Sequence, residues 1–274
     1  MYCQFYGLKE RPFNVTSDPA FFYLSRRHKE ALSHLLYGTS QRKGITVITG
    51  EIGAGKTTLC RYFLSRVNPK FKTAFILNPC FSELELLEAI LKDFGIAVKS
   101  PSKLSLVSRL NAFLLRESNR GSNIVLIIDE AQNLGPSELE QVRLLSNLET
   151  EKDKLLQIVL AGQPELNQKL NLAELKQLQQ RVMVRYHMAP LEPDEVKDYV
   201  DFRLSVAGRR GAPFFSGDSL KIIADFSGGI PRLINLICDR ALLAGYAGDT
   251  RIIGEEIINQ CVKELEDYSP VQNV

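Results

Sequence analysis

Gly50-Glu51-Ile52-Gly53-Ala54-Gly55-Lys56-Thr57-Thr58 is the stretch of this 274-residue chain whose residue types and spacing carry chemistry by themselves. It fits Gly-x-x-x-x-Gly-Lys-Thr, the P-loop pattern, and the chemistry of that pattern is anion binding. Its glycines let the backbone curl so that successive N–H groups converge on phosphate oxygens. Lys56 is spaced to reach the β- and γ-phosphates, and the Thr57 hydroxyl to ligate Mg²⁺. At average composition the fixed positions match by chance in roughly 1% of chains this long. The flanks decide the matter. Residues 45–49 are apolar and β-branched, as in a buried strand, and Leu59, Tyr62, Phe63 and Arg66 follow at helical spacing. A helix starting there adds the positive end of its dipole to the anion site.

A second constellation is Asn123-Ile-Val-Leu-Ile-Ile-Asp129-Glu130. Five aliphatics ending in two carboxylates read as a central parallel strand with acids at its C-terminal edge, where open α/β sheets bind ligands. In this Walker B pattern Asp129 is the expected Mg²⁺ residue and Glu130 the group that polarises an attacking water as general base. Residues 155–162 form another buried-strand pattern ending at Gln163, which is placed to orient that water or to sense the γ-phosphate. Arg232 follows Gly228-Gly229-Ile230-Pro231, where the glycines end one helix and Pro231 opens the next, so Arg232 projects from a first turn toward the nucleotide phosphates.

These residues need a scaffold. Strands are expected at 45–49, 73–77, 123–128, 155–162 and 182–188, alternating with helices at 83–94, 105–118, 137–148 and 172–181. Ser25 is the expected N-cap of a helix over 26–40 whose Arg26-Arg27-His28-Lys29 start reads as a solvated first turn. Beyond Ala189-Pro190 only helices are expected, at 192–206, 216–226, 230–245 and 254–266. The organisation is therefore an α/β domain over 1–189, an all-α lid over 190–268 and a flexible tail over 269–274. Residues 1–23 are rich in aromatics, and Pro12 and Pro19 rule out a long helix, so they read as an arm lying against the α/β domain, with an aromatic or Leu24 available to line a base pocket.

Composition narrows the class further. The chain is 45% hydrophobic and 24% charged with a net charge of +2, which makes no case for a nucleic-acid or membrane partner. Five scattered cysteines and three histidines lack metal-ligand spacing and read as reduced thiols and structural residues, with Cys60 and Cys238 on apolar helix faces. The longest aliphatic run, 124–128, is too short to span a bilayer. An Asn-Lys-x-Asp guanine motif is missing, which argues against a GTPase.

Together these features resemble an AAA+ ATPase: a five-stranded parallel P-loop core followed by a helical lid. More specifically, Tyr6-Gly7-Leu8-Lys9-Glu10-Arg11-Pro12-Phe13, Leu36-Tyr37-Gly38, Asp129-Glu130-Ala131-Gln132-Asn133-Leu134, Gly162-Gln163-Pro164-Glu165-Leu166 and Gly229-Ile230-Pro231-Arg232-x-x-Asn235 resemble the ExeA/GspA family of bacterial general (type II) secretion and pilus-related systems. The resemblance implies ATP and Mg²⁺ as cofactors, Gln163 as sensor 1 and Arg232 as sensor 2. It also implies an arginine finger at Arg181, with Arg185 as runner-up. Expected partners are ATP/ADP, further copies of the chain in a ring or dimer, and a secretion or pilus protein. The expected location is the cytoplasm or the cytoplasmic side of the inner membrane. A DNA-transposition helper ATPase, which binds nucleic acid, shares much of the pattern and is the alternative. A non-enzymatic nucleotide-binding scaffold is disfavoured by the intact Lys56, Thr57, Asp129 and Glu130.

Overall fold

The computed structural model describes residues 1–98, 102–151, 153–211 and 214–267; the tail expected over 269–274 lies outside them. In chain order the helices are α1 (Tyr2–Tyr6), α2 (Arg26–Ser40), α3 (Lys56–Arg66), α4 (Glu83–Asp93), α5 (Lys103–Asn119), α6 (Pro136–Leu145), α7 (Glu165–Leu170), α8 (Lys176–Gln179), α9 (Pro193–Val206), α10 (Gly217–Ser227), α11 (Pro231–Ala247) and α12 (Glu255–Asp267). The strands are β1 (Ile45–Gly50), β2 (Phe71–Ile76), β3 (Asn123–Ile128), β4 (Gln157–Gly162) and β5 (Val182–Met188). They form one sheet in the order β2-β3-β4-β1-β5, and every pairing is parallel.

The sheet belongs to a compact unit made of the described residues of Lys29–Glu51 and Lys56–Met188. One of its faces presents Ile45, Val47, Leu126, Ile128, Ile158 and Leu160 to a core shared with residues of α4, α5 and α6. The alternate residues Ile48, Val125, Ile127, Val159 and Ala161 are equally buried. Burial on both faces explains why the central strands are unbroken aliphatic runs rather than alternating ones. The strand order sets β4 between β1 and β3, so the chain emerging from all three at their C-terminal ends carries Gly50, Asp129 and Gln163 along one edge.

The stretch 172–181 departs from its expected single helix. A 3-10 turn at Ala173–Leu175 precedes the one-turn α8, and α7, which the sequence pattern did not announce, comes before both. Leu172 has an extended backbone, and Leu170, Leu175 and Leu178 all enter the core. Burying three leucines at this uneven spacing overrides the helix propensity of the polar residues between them.

The second compact unit holds Met1–His28, Ile52–Gly55 and the described residues from Ala189 onward. The aromatic N-terminal segment therefore groups with the C-terminal helices rather than forming an arm on the sheet. Tyr2, Tyr6, Phe13 and Phe21 join Tyr199, Val200, Leu204, Ile234, Ile237 and Leu242 in one core. Arg203 is buried there and secures the segment: its Nε donates to Pro12 O at 2.6 Å, its Nη2 to Asn14 O at 3.1 Å, and its guanidinium lies 5.0 Å from the Phe21 ring centre. Cys60 and Cys238 are fully buried in their respective units, and burial pushes both thiols up, as befits core residues.

Candidate functional site

On the sheet-bearing unit, Lys56 opens α3 and is only 5% exposed. Its Nζ donates to Gly50 O at 2.7 Å and Glu51 O at 2.9 Å, so the ammonium is tied to the carbonyls of its own loop. Burial lowers its pKa, opposed by the neighbouring Glu130, Asp129 and Glu51. Thr57 Oγ1 donates to Asp129 Oδ2 at 2.5 Å, bringing the two expected Mg²⁺ residues into contact. Asp129 also accepts from Glu130 N at 3.1 Å.

Glu130 has a left-handed backbone, φ 52°, an uncommon state for a side chain of this kind. Its Oε2 accepts from Gln132 Nε2 at 2.5 Å and from Gln163 Nε2 at 3.3 Å. Gln163 N in turn donates to Gln132 Oε1 at 3.0 Å. Gln132 is thus a site residue that the sequence reading quoted only as part of a motif; its place two residues after Glu130, in a polar string that ends an aliphatic strand, was the available signal. Asn167 was missed outright, and its Nδ2 donates to Thr49 Oγ1 at 3.1 Å beneath the start of the loop.

On the other unit, the loop tip Ile52–Gly55 meets the start of α11. Gly53 has φ 84°, and a Cβ on it would come within 2.4 Å of Arg232 Cβ, so only glycine fits. Arg232 N donates to Gly53 O at 3.3 Å, and the Arg232 side chain is exposed. Gly229 is held as tightly: with φ 76°, its Cβ would fall 2.0 Å from Leu191 O. His28 is buried, not solvated as its basic neighbours suggested, whereas Arg26 and Arg27 pair with Asp194 and Glu192.

Arg181 and Arg185 are not brought to this edge. Arg181 immediately precedes β5, whose first residue, Val182, is level with Ile45, while Gly50 is level with Met188. Arg185 lies mid-strand, level with Val47, on a strand that is the sheet's last.

Residues 39–170 match the model of the AAA domain family. Over 259 residues the chain is 47% identical to general secretion pathway protein A of Aeromonas hydrophila. The chain is similar to the ExeA/GspA family of AAA P-loop NTPases. The match covers 94% of this chain and 47% of that relative, so the chain spans about half of its relative's length. A more distant relative is the ATP-dependent target DNA activator B of Escherichia phage Mu, 26% identical over 91% of this chain and 75% of that protein. Among solved structures the fold is similar to the Aeropyrum pernix ORC2 protein, with a TM-score of 0.69 at 18% identity, covering 95% of this chain and 75% of that one. The P-loop accordingly binds nucleotide. Among the described residues no helix is long and apolar enough to cross a membrane.

The donor set also suits a magnesium nucleotide. Asp129 is 1% exposed, and burial raises its pKa above the usual carboxylate range against the lowering effect of Thr57. Such a carboxylate is costly to keep ionised without a cation. Among the described residues no cluster of three or more acids, histidines or cysteines could hold a metal ion. A raised folded-state pKa favours the fold below the unfolded value, about 3.9, and that favour is lost as pH rises through the folded pKa. Asp129→Asn removes the buried charge, and Thr57 can accept from the new amide. The nucleotide-free variant should melt a few degrees above wild type at pH 7, with the gap closing toward pH 4, while gaining less from magnesium nucleotide than wild type does. Thermal melts across pH, with and without Mg²⁺-ADP, check both parts.

Proposed function

We propose that the chain binds and hydrolyses ATP and couples its nucleotide state to the assembly of a bacterial secretion or pilus system. The observation that carries the hydrolytic half is the Glu130 carboxylate held between the Gln132 and Gln163 amides, beside the Thr57–Asp129 pair. In this reading Lys56 exchanges the carbonyls of Gly50 and Glu51 for β- and γ-phosphate oxygens. The N–H groups of residues 50–58 surround the phosphates, and Thr57 and Asp129 hold Mg²⁺, which when bound neutralises charge on the phosphates. Glu130 takes the proton of the attacking water, and Gln163 and Gln132 keep its carboxylate turned toward that water. Arg232 answers the γ-phosphate as sensor 2, and Arg181 serves a neighbouring copy in an oligomer. The secretion half rests on 47% identity across nearly the whole chain to a general secretion pathway protein. It implies a secretion or pilus partner and a place at the cytoplasmic side of the inner membrane.

The similarity to the phage Mu target DNA activator favours a second reading, DNA binding. The two separate in one experiment, phosphate release from Mg²⁺-ATP by the purified chain with and without duplex DNA. Turnover that DNA leaves unchanged is expected. DNA-stimulated turnover that collapses between about 50 and 200 mM salt would establish the second reading instead, and no turnover with any nucleotide, alone or with DNA, would overturn both.

A further inference from the structure

We propose that His28 is a positioning residue for phosphate binding, a fixed N–H donor that keeps the Ala54–Gly55 peptide of the P-loop turned the right way. The inference rests on the nucleotide-binding reading of that loop and assigns it a support from outside the P-loop sequence. His28 is 4% exposed, with Nε2 at 3.1 Å from Ala54 O and Nδ1 at 2.7 Å from Ser25 Oγ. A carbonyl oxygen can only accept, so Nε2 carries the hydrogen. In the neutral ring Nδ1 then accepts from the Ser25 hydroxyl, whose oxygen also accepts from His28 N at 3.2 Å. The Phe22 ring packs edge-on at 5.0 Å and helps hold the imidazole plane. Burial lowers the pKa of the ring, which agrees with the neutral tautomer that the geometry requires.

The consequence for the loop follows from peptide geometry. All peptide bonds here are trans, so the N–H of each residue points opposite to the carbonyl before it. Arg232 N holds Gly53 O and His28 Nε2 holds Ala54 O, so two successive carbonyls are turned outward. The N–H groups of Ala54 and Gly55, the other ends of those planes, point the opposite way, and neither has a protein acceptor among the described residues. Consecutive N–H groups aimed at one spot are what an anion-binding loop consists of. Nothing local prevents the Ala54–Gly55 plane from flipping, because Gly55, at φ 98°, tolerates either sign of φ. A flip would aim a carbonyl oxygen at the phosphates. The imidazole bond opposes that flip, and it comes from a residue 26 positions earlier in the chain.

The test uses His28→Phe, which keeps a ring against Phe22 but has no donor, and His28→Gln, which restores an N–H. Affinities for Mg²⁺-ADP and for adenosine are measured by displacement of a fluorescent ADP. His28→Phe should bind ADP about tenfold more weakly, as one lost buried hydrogen bond predicts, with adenosine affinity unchanged, and His28→Gln should recover most of the loss. Wild-type affinity for ADP in His28→Phe, or equal losses for ADP and adenosine, would overturn the assignment, the second by showing a merely structural role. Should His28→Phe not fold, the ¹⁵N spectrum of the wild-type imidazole decides: a neutral ring protonated at Nε2 supports the inference and one protonated at Nδ1 overturns it. A wild-type chain that binds neither ADP nor ATP would overturn the nucleotide reading itself, and is recognised before any variant is made.

Discussion

Lys56→Ala should weaken nucleotide binding by about ten- to a hundredfold, whereas Glu130→Gln should bind within a few-fold of wild type and turn over ATP about 10²–10⁴ times more slowly. The difference comes from what each group touches. Lys56 is a buried cation already bonded to Gly50 O and Glu51 O, and phosphate oxygens offer it charge-assisted bonds in the ground state. Its removal also frees those two carbonyls, so the loop loses shape along with charge. The Glu130 side chain is held from outside the loop, its Oε2 accepting from Gln132 and Gln163. Glutamine at position 130 keeps an acceptor for those amides but cannot take a proton from water. The interaction it removes exists only in the reaction, and such a change appears in turnover rather than affinity. Equilibrium titration with a fluorescent nucleotide and single-turnover phosphate release, run on both variants, check the pair. Equal loss of binding in the two would show that Glu130 serves the loop and not the water.

The groups in that prediction were legible in the sequence because their signals are local. A strand, a glycine-rich turn and a helix start within fifteen residues specify the loop around Lys56, and a run of aliphatics places Asp129 and Glu130 at a strand end. Gln163 required one more step, that β4 lies between β1 and β3, and the sheet has that order. What escaped depends on contacts distant in sequence. His28 stands in a string of four basic or titratable residues and reads as solvated, yet its ring is buried against Ala54 O. The first 28 residues look like an arm for the nearest domain, but their aromatics find their core among α9, α10, α11 and α12. The stretch 172–181 is polar enough for a surface helix, and only the burial of Leu175 and Leu178 shows why it breaks. Propensity is a weak prior where three leucines must reach one core.

The Arg181→Ala variant should lose ATP turnover by about 10³–10⁵, the range seen when an arginine finger is removed, and should regain part of it when mixed with Lys56→Ala protein. Val182 pairs with the first residue of β1 and Met188 with the last, so Arg181 stands at the opposite end of the sheet from Gly50. Six residues of strand span about 20 Å, farther than an arginine side chain reaches. Arg181 therefore cannot serve the P-loop of its own chain. Among the described residues its cation helps hold the Glu149 carboxylate down, where the larger effect is the Glu149–Lys154 ion pair. It sits half-buried at the start of β5, an edge strand of the sheet. An arginine with few ties of its own among the described residues, beside the strand that ends the sheet, is suited to supplying the positive charge that a transferring phosphoryl group requires in a neighbour's site. Each variant alone has one defect at every interface. In a mixture, some interfaces pair an intact P-loop from the Arg181→Ala chain with an intact arginine from the Lys56→Ala chain. Phosphate release is measured over a series of mixing ratios, with light scattering to establish co-assembly, and should peak at an intermediate ratio. Co-assembled mixtures that stay as inactive as either variant alone would rule out action in trans and leave Arg181 as an ordinary residue at a strand end.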